Sequence, residues 1–394
     1  MTNSAPRILD LTSVQRVVHG IGAMEGLPAL LDERRASKVV VASCKSVIEK
    51  SPLIDDLKGL LGSRFVGLGA AIGSHTPVAD VEALCELALR TDADAIVAIG
   101  GSSVSDAAKI ASLRVSGVQP QITVHDGVIT AGDGAAPKRE KPTLIVIPTT
   151  LSAGEFNGGS GMTDGKSGAK IMVMDDRQLP WAIILDPLAT LSTPYHLWAS
   201  TGIKAVDHAA EAIWGARSHI YGDALSSAAL RSIISGLERT KENFEDLEAR
   251  LECQIGSWLS VASMKNTQLH LSHIVEHNMG ATWHLAHGIT SCIALPTIMA
   301  FLAAETPDKV GKVARAFGVP EVAGQSELDY GVEGAQWLSR WIANLGLPTR
   351  LRDVLGDKSG FEAVAAHSVN ELSFFGYIPE GREATIVRLL EQMW

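Results

Sequence analysis

The first half of the chain alternates short apolar runs with stretches of helical periodicity. Three runs are apolar at every position rather than at every second one, namely 39–42, 95–99 and 144–147. Such runs predict strands that are buried on both faces of a parallel sheet. A helix is predicted over 78–90, after turn residues at 74–77. Alternating strands and helices predict a Rossmann-like open α/β sheet with right-handed crossovers.

From about Thr193 onward the apolar positions recur with helical spacing. We expect helices over 199–214, 224–238 and 251–276. Pro187 and Pro194 separate the two patterns. Because a chain of 394 residues is longer than the roughly 250–300 at which a single core stops growing, two domains are expected. The sequence predicts an α/β domain over 1–190 and an all-helical domain over 191–394.

Composition narrows the class of protein. The net charge of -10, without clustered Lys and Arg, argues against a nucleic-acid surface. Four cysteines without a Cys-x-x-Cys pair fit free thiols in a reducing compartment. No run approaches the roughly 18 apolar residues of a membrane span, and residues 1–10 show no secretory or transit pattern. We expect a cytoplasmic protein that acts on a small molecule, without nucleic-acid or membrane partners.

A turn of small residues follows the predicted strand 95–99 and opens a helix. Small residues let the backbone approach a pyrophosphate, whose charge the helix N–H groups and dipole favour. By itself the turn is weak evidence, because glycine joins strands to helices in many α/β proteins. The residues predicted to bind a nucleotide here are Gly100, Gly101, Ser102, Ser103 and Asp106.

A loop of hydroxyl-bearing residues follows the next predicted strand, 144–147. Hydroxyl groups at the carboxyl end of a parallel strand can bind the base and ribose of a nucleotide. An ordinary polar loop is the alternative interpretation. The candidate residues are Thr149, Thr150 and Ser152.

Histidines cluster in the helical half. His208 lies on one predicted helix, and His273 and His277 lie one turn apart on another. His287 follows a break at Gly280 that can bring it back toward them. The arrangement suits either a divalent metal or a proton relay.

Four motifs follow one another in the chain: 100–109, the Pro-Thr-Thr loop that ends in Glu at 148–155, 201–211, and the histidine series that ends in Gly288. Together they resemble the iron-containing alcohol dehydrogenase superfamily over essentially the whole chain. The spacing of the second motif, the segment 74–78 and the ending 382–394 are most similar to the maleylacetate reductase branch. The resemblance implies the dehydroquinate synthase-like fold of that superfamily, hydride transfer with NAD(H) or NADP(H), and a homodimer.

The resemblance also implies where a metal would bind. In metal-dependent members an Asp and three His hold Fe²⁺ or Zn²⁺, and the matching histidines are His208, His273 and His287. The Asp position is Lys204, and an ammonium repels a cation and cannot coordinate it. Asp207 could substitute only if the helix rotated by most of a turn. An ordinary metal site is therefore not expected.

Lys204 has a catalytic interpretation. Its ammonium could take over the electrostatic role of the metal by stabilising the charge that develops on a substrate carbonyl oxygen. His277, or its neighbours His208 and His273, would then deliver the proton. Alternatively, Lys204 only forms a salt bridge with Asp207 or Glu211.

Two further positions depart from the family pattern. Cys44, followed by Lys45, stands where many members place an Asp that binds the adenosine ribose. The loss of that negative charge predicts the use of both NADH and NADPH. His284 stands where maleylacetate reductases carry an acid, and it could contact a substrate carboxylate or complete an unusual metal site.

Four functions remain open from the sequence. The favoured one is an NAD(P)H-dependent reductase of a small oxo acid, as in the reduction of maleylacetate. The second is a metal-dependent alcohol dehydrogenase acting on a primary alcohol or aldehyde. A lyase like the dehydroquinate synthases and a catalytically inactive member that serves binding or assembly are the others.

Overall fold

The computed structural model describes residues 9, 14–125, 128–374 and 376–394. The chain forms two compact units: a sheet unit, Ser13–Pro194 with Asn243–Gln254, and a helical unit that comprises Tyr195–Glu242 and Ile255–Trp394. The predicted division after residue 190 differs from this arrangement, because residues 191–194 and 243–254 group with the sheet. Arg250 explains part of the difference. It is fully buried and donates hydrogen bonds to Thr190 O at 3.1 Å and Thr190 Oγ1 at 2.7 Å.

The main sheet of the sheet unit is six-stranded and parallel. In chain order the strands of the unit are β1 (Arg16–His19), β2 (Val39–Ser43), β3 (Phe65–Leu68), β4 (Ala95–Gly100), β5 (Ile122–His125), β6 (Val128–Ala131), β7 (Thr143–Pro148), β8 (Gly159–Thr163), β9 (Lys170–Met174) and β10 (Ala182–Leu185). The main sheet has the order β1-β10-β7-β4-β2-β3. Strands β2, β4 and β7 are buried at every position, which confirms the predicted parallel sheet.

The order of the main sheet determines where a ligand is expected. Strands β3-β2-β4-β7-β10 follow the 2-1-3-4-5 order of a doubly wound sheet, and the direction of winding reverses between β2 and β4. Ligands of such sheets bind outside the carboxyl ends of the strands at that reversal. The helices of this unit are α1 (Leu27–Glu33), α2 (Lys45–Lys50), α3 (Leu53–Leu61), α4 (Val78–Arg90) and α5 (Ser102–Val115).

A second, antiparallel sheet was not predicted. It has the order β6-β5-β9-β8 and is formed by segments on either side of β7 in the chain. Three of its four strands lack a continuous apolar run, and the exception is β9, with the run 171–174. Only one position of β9 and two of β8 are buried, whereas every position of β4 is buried.

The described part of the helical unit contains helices and no strands, as predicted. The helices are α6 (Tyr195–Trp214), α7 (Ile220–Glu242), α8 (Leu247–Met264), α9 (Leu271–Trp283), α10 (His287–Glu305), α11 (Pro307–Ala316), α12 (Glu327–Asn344), α13 (Phe361–Phe374) and α14 (Glu383–Met393), and the first residues of α8 belong to the sheet unit.

The single helix predicted over 251–276 is wrong, because α8 ends at Met264 and α9 begins at Leu271. Glu211 of α6 accepts hydrogen bonds from the backbone N–H groups of His270 and His273. A side chain from another helix thus satisfies N–H groups at the start of α9, and this contact cannot be read from local periodicity.

Helix α10 is long and apolar enough to span a membrane by length and composition, and 67% of its most apolar window is buried. Burial of this extent is typical of a core helix, and one such helix is weak evidence for a membrane span.

Candidate active site

The glycine turn lies where the sheet order places a ligand. Gly100 ends β4, and a Cβ there would come within 2.7 Å of Val104 Cγ2, so the tight turn requires glycine. Gly101 precedes Ser102, the first residue of α5. The N–H of Thr149 donates to Gly100 O at 2.9 Å, so the two predicted nucleotide loops are joined at their bases. The first N–H groups of α5 therefore follow this turn, and such groups favour the charge of a phosphate.

Two of the residues predicted to bind a nucleotide form hydrogen bonds within the protein. Ser103 Oγ accepts a hydrogen bond from His75 N at 3.1 Å. Asp106 Oδ2 accepts from Gly161 N at 3.1 Å, and its Oδ1 lies 3.3 Å from Lys109 Nζ. Burial raises the pKa of Asp106, although Lys109 and Gly161 oppose that shift. The geometry therefore gives Asp106 a role in holding α5 against β8.

The lysine of the first motif, Lys109, makes its contacts within the protein. Its side chain is fully buried, and Nζ donates to Gly154 O at 2.7 Å and Gly159 O at 2.6 Å. The ammonium thereby fixes the segment that follows the hydroxyl-bearing loop. Within that segment, burial raises the pKa of Glu155 to about 7.

The hydroxyl-bearing loop and Cys44 flank the glycine turn. Thr149 and Thr150 are buried, and Thr150 Oγ1 lies 3.3 Å from the half-buried Ser152 Oγ. Cys44 follows β2, the strand next to β4, so it stands on the other side of the winding reversal. The side chain of Lys45 is 77% exposed, and its Nζ lies 3.9 Å from Oε1 of Glu49, one turn later on α2. The structure thus brings the predicted nucleotide residues to adjacent strand ends.

A buried polar cluster surrounds Lys204 in the helical unit. Lys204 Nζ donates to Asp207 Oδ2 at 2.9 Å and to Glu276 Oε2 at 3.0 Å, and it lies 3.2 Å from His273 Nδ1. Both carboxylates are fully buried, and Lys204 is 8% exposed. These four residues, from α6 and α9, form the Lys204 cluster. It confirms a salt bridge to Asp207, whereas Glu211 makes its contacts at the start of α9.

The carboxyl groups of Asp207 and Glu276 determine the charge of the Lys204 cluster. Burial alone would lower the pKa of Lys204, but Asp207 and Glu276 outweigh it and raise that pKa. Burial likewise opposes ionisation of Asp207, yet Lys204 holds the Asp207 pKa below its usual value. Burial and the nearby Asp207 raise the pKa of Glu276. Lys204 and Asp207 thus favour each other's charged form, whereas Glu276 is the carboxyl group of the cluster that takes up a proton more readily.

The four histidines singled out in the sequence form two stacked pairs. The rings of His208 and His273 are 5.5 Å apart, and those of His277 and His287 are 5.7 Å apart. The predicted break at Gly280 is wrong, because α9 continues through it to Trp283. A Cβ on Gly280 would lie 3.4 Å from His287 Nδ1, so glycine instead permits the close approach of the two helices.

His284 ends α9 in a left-handed conformation, with φ 55°, and its side chain is exposed. This backbone turn directs the chain from α9 into α10, which begins at His287.

The donor set does not fit a divalent metal ion. Within the described residues, no three side chains of His, Cys, Asp or Glu converge as metal ligands. At the position of the family's Asp ligand, Lys204 Nζ lies 3.2 Å from His273 Nδ1, and an ammonium so close to the imidazole repels a cation. Burial, followed by Lys204, lowers the pKa of His273 to about 4. No step of the chemistry is therefore assigned to a metal.

Sequence reasoning missed two acidic residues of the site. Glu276 lies one turn after His273 on α9, and that spacing could have indicated it. Ser291 Oγ also donates to Glu276 Oε2. Glu371 approaches His277 from α13, and no local pattern marks it.

Two family models match the chain. Residues 14–187 match "Iron-containing alcohol dehydrogenase", and residues 198–394 match "Fe-containing alcohol dehydrogenase family, C-terminal". The chain belongs to the iron-containing alcohol dehydrogenase family. It is an NAD(P)-dependent oxidoreductase.

Individual relatives agree with the family assignment. A dehydrogenase from Alternaria alternata is 30% identical, over 80% of this chain and 88% of the relative. A maleylacetate reductase from Burkholderia cepacia is 29% identical, over 78% of each chain. The solved structure of maleylacetate reductase from Rhizobium sp. strain MTP-10005 superposes with a TM-score of 0.81 at 22% identity, over 99% of each chain. These similarities place the chain near the maleylacetate reductase branch.

Proposed function

We propose that this family member reduces a small oxo acid with NADH or NADPH, without a metal, and that Lys204 supplies the positive charge at the reacting oxygen. The similarity to maleylacetate reductases supports the class of substrate. The observation that carries the proposal is a buried ammonium, held by Asp207 and Glu276, at the position of the family's metal ligand.

Lys204 is suited to this task. Two of its three N–H groups can point to Asp207 and Glu276, and the third faces His273 Nδ1 at 3.2 Å. A carbonyl oxygen that replaces His273 as the third acceptor receives a charge-assisted hydrogen bond. Because the cluster is buried and fixed before the reaction, this bond stabilises the charge that develops on the oxygen.

His277 delivers the proton. When bound, the nicotinamide cofactor supplies the hydride to the carbonyl carbon. The imidazolium of His277 then transfers its proton to the substrate oxygen, and solvent restores that proton afterwards. Lys204 stays protonated throughout, because its carboxylate partners favour its charged form.

Replacement of Lys204 tests its role. Lys204→Met and Lys204→Gln should each lower kcat by at least about 100-fold, the loss that follows removal of one preorganised donor. NADH binding, followed by the fluorescence of the bound cofactor, should persist and report a folded protein. Unchanged turnover in a folded variant would contradict the proposal.

Metal analysis tests the second part of the proposal, that the reaction needs no metal. The purified protein should contain iron and zinc at well below one ion per chain, and a chelator should leave the rate unchanged. A stoichiometric metal together with chelator sensitivity would instead establish the metal-dependent alcohol dehydrogenase. Absorbance of the reduced nicotinamide, measured with oxo acids and aldehydes in parallel, identifies the class of substrate.

The residues beside the glycine turn support the use of both cofactors. Cys44 is uncharged and stands next to β4, so it does not repel a 2′-phosphate as an Asp would. Specificity constants for NADH and NADPH should therefore differ by less than about 100-fold.

The family resemblance also supports a cytoplasmic homodimer. Light scattering of the purified protein tests the oligomeric state, because a monomer would contradict it.

A further inference from the structure

Glu371 of α13 reaches the ring of His277 on α9. Glu371 Oε1 lies 3.5 Å from His277 Nδ1. The other oxygen, Oε2, accepts a hydrogen bond from Asn278 Nδ2 at 3.0 Å, and Asn278 is buried. Each oxygen of the carboxylate therefore has its own partner on α9.

The second bond of Asn278 fixes the direction of the carboxylate. Asn278 Nδ2 also donates to Ile274 O at 2.9 Å, four residues earlier on α9. The amide is thus held against its own helix, and it orients Glu371 so that Oε1 faces the His277 ring. The side chains of Glu371 and His277 are 33% and 28% exposed, so both are partly shielded from water.

The charge of Glu371 suits this contact. Burial alone would raise its pKa, but His277 and Asn278 outweigh burial and lower that pKa. An ionised carboxylate accepts hydrogen bonds and donates none. The ring nitrogen that faces it, Nδ1, is therefore placed to carry a hydrogen.

We propose that Glu371 is a positioning residue for His277: it fixes Nδ1 as the protonated nitrogen and leaves Nε2 as the atom that gives up and regains the catalytic proton. This inference rests on the proposed function, in which His277 is the proton donor. The imidazolium releases its Nε2 proton to the substrate oxygen, and the neutral ring keeps its Nδ1 hydrogen facing Glu371. A hydrogen bond at one ring nitrogen commonly determines the protonation of the other.

A purely structural role is the alternative, because Glu371 also links α13 to α9 through Asn278. Glu371→Gln separates the two roles. The amide keeps the size of the side chain and can still offer an oxygen to Asn278 Nδ2. It then presents an N–H group toward His277 Nδ1, which favours the opposite tautomer. The link between the helices is kept while the orientation of the proton is reversed.

The experiment compares Glu371→Gln with Glu362→Gln, a matched change at an exposed position of the same helix. Glu371→Gln should lower kcat by about 10- to 100-fold, the range that follows removal of an outer hydrogen-bond partner from a metal-binding histidine. KM should stay nearly constant, and Glu371→Asp should recover part of the rate. Glu362→Gln should match the parent enzyme.

A double-mutant cycle with His277→Asn shows whether Glu371 acts through the histidine. In the His277→Asn background, Glu371→Gln should cause no further loss of kcat. Additive losses, or an unchanged kcat in Glu371→Gln, would overturn the inference. If His277→Asn alone leaves kcat unchanged, the proposed proton donor itself is wrong. The two failures are therefore distinguishable.

Discussion

Lys204 and Glu276 are 72 positions apart in the chain, yet Lys204 Nζ lies 3.0 Å from Glu276 Oε2. The contact joins α6 to α9 within the helical unit. A buried cation that lacked such partners would carry a large desolvation penalty. The lysine is therefore accommodated as a specific part of the site, because acceptors on two helices surround it.

The two carboxylates of the Lys204 cluster should respond differently to neutralisation. Asp207→Asn should lower the free energy of unfolding by about 3–5 kcal/mol, because it removes the ionised partner of a buried charge. Glu276→Gln should cost only about 1 kcal/mol, because burial and Asp207 raise the pKa of Glu276 and the amide oxygen still accepts from Lys204. Urea unfolding at pH 7 measures both values, and equal losses would contradict this assignment of charge.

Glu155 should make stability depend on pH. Its folded-state pKa is raised to about 7 from an ordinary 4.5, because its side chain is buried. The folded chain thus keeps a proton that the unfolded chain releases, so this contribution is complete below pH 4.5 and is lost as pH rises to about 7. By proton linkage, the loss amounts to about 3 kcal/mol.

Glu155→Gln should remove this dependence, because the amide does not titrate. Urea unfolding of the parent and the variant at several values between pH 4.5 and 7 measures the difference. Parallel curves for the two proteins across that range would show that Glu155 does not titrate as expected.

Cys44 offers a test of cofactor preference. Cys44→Asp places a carboxylate at the carboxyl end of β2, where it can bind the ribose hydroxyls of NADH and repel the 2′-phosphate of NADPH. The ratio of kcat/KM for NADH over NADPH should rise by at least about 10-fold. Cys44→Ser is the matched control and should leave the ratio unchanged. An equal ratio in the aspartate variant would place the ribose away from Cys44.

Local pattern was sufficient for much of the fold. The boundaries of α4 match the predicted 78–90, because turn residues precede that helix and its apolar positions recur regularly. The antiparallel sheet was not predicted, because its strands are short and three of the four lack a continuous apolar run. The break between α8 and α9 was not predicted either, since the contacts of Glu211 with α9 come from a distant part of the chain.

The sequence by itself determined the family, the parallel sheet, the glycine turn and the unusual lysine at position 204, because each depends on residue types at short, fixed spacings. Only the tertiary structure decided which groups face that lysine and which carboxylate faces His277. Glu276 and Glu371 reach the site through the packing of α9 against other helices. Ionisation in such a site depends on burial and on charges within a few ångströms, and the order of residues along the chain does not specify either one.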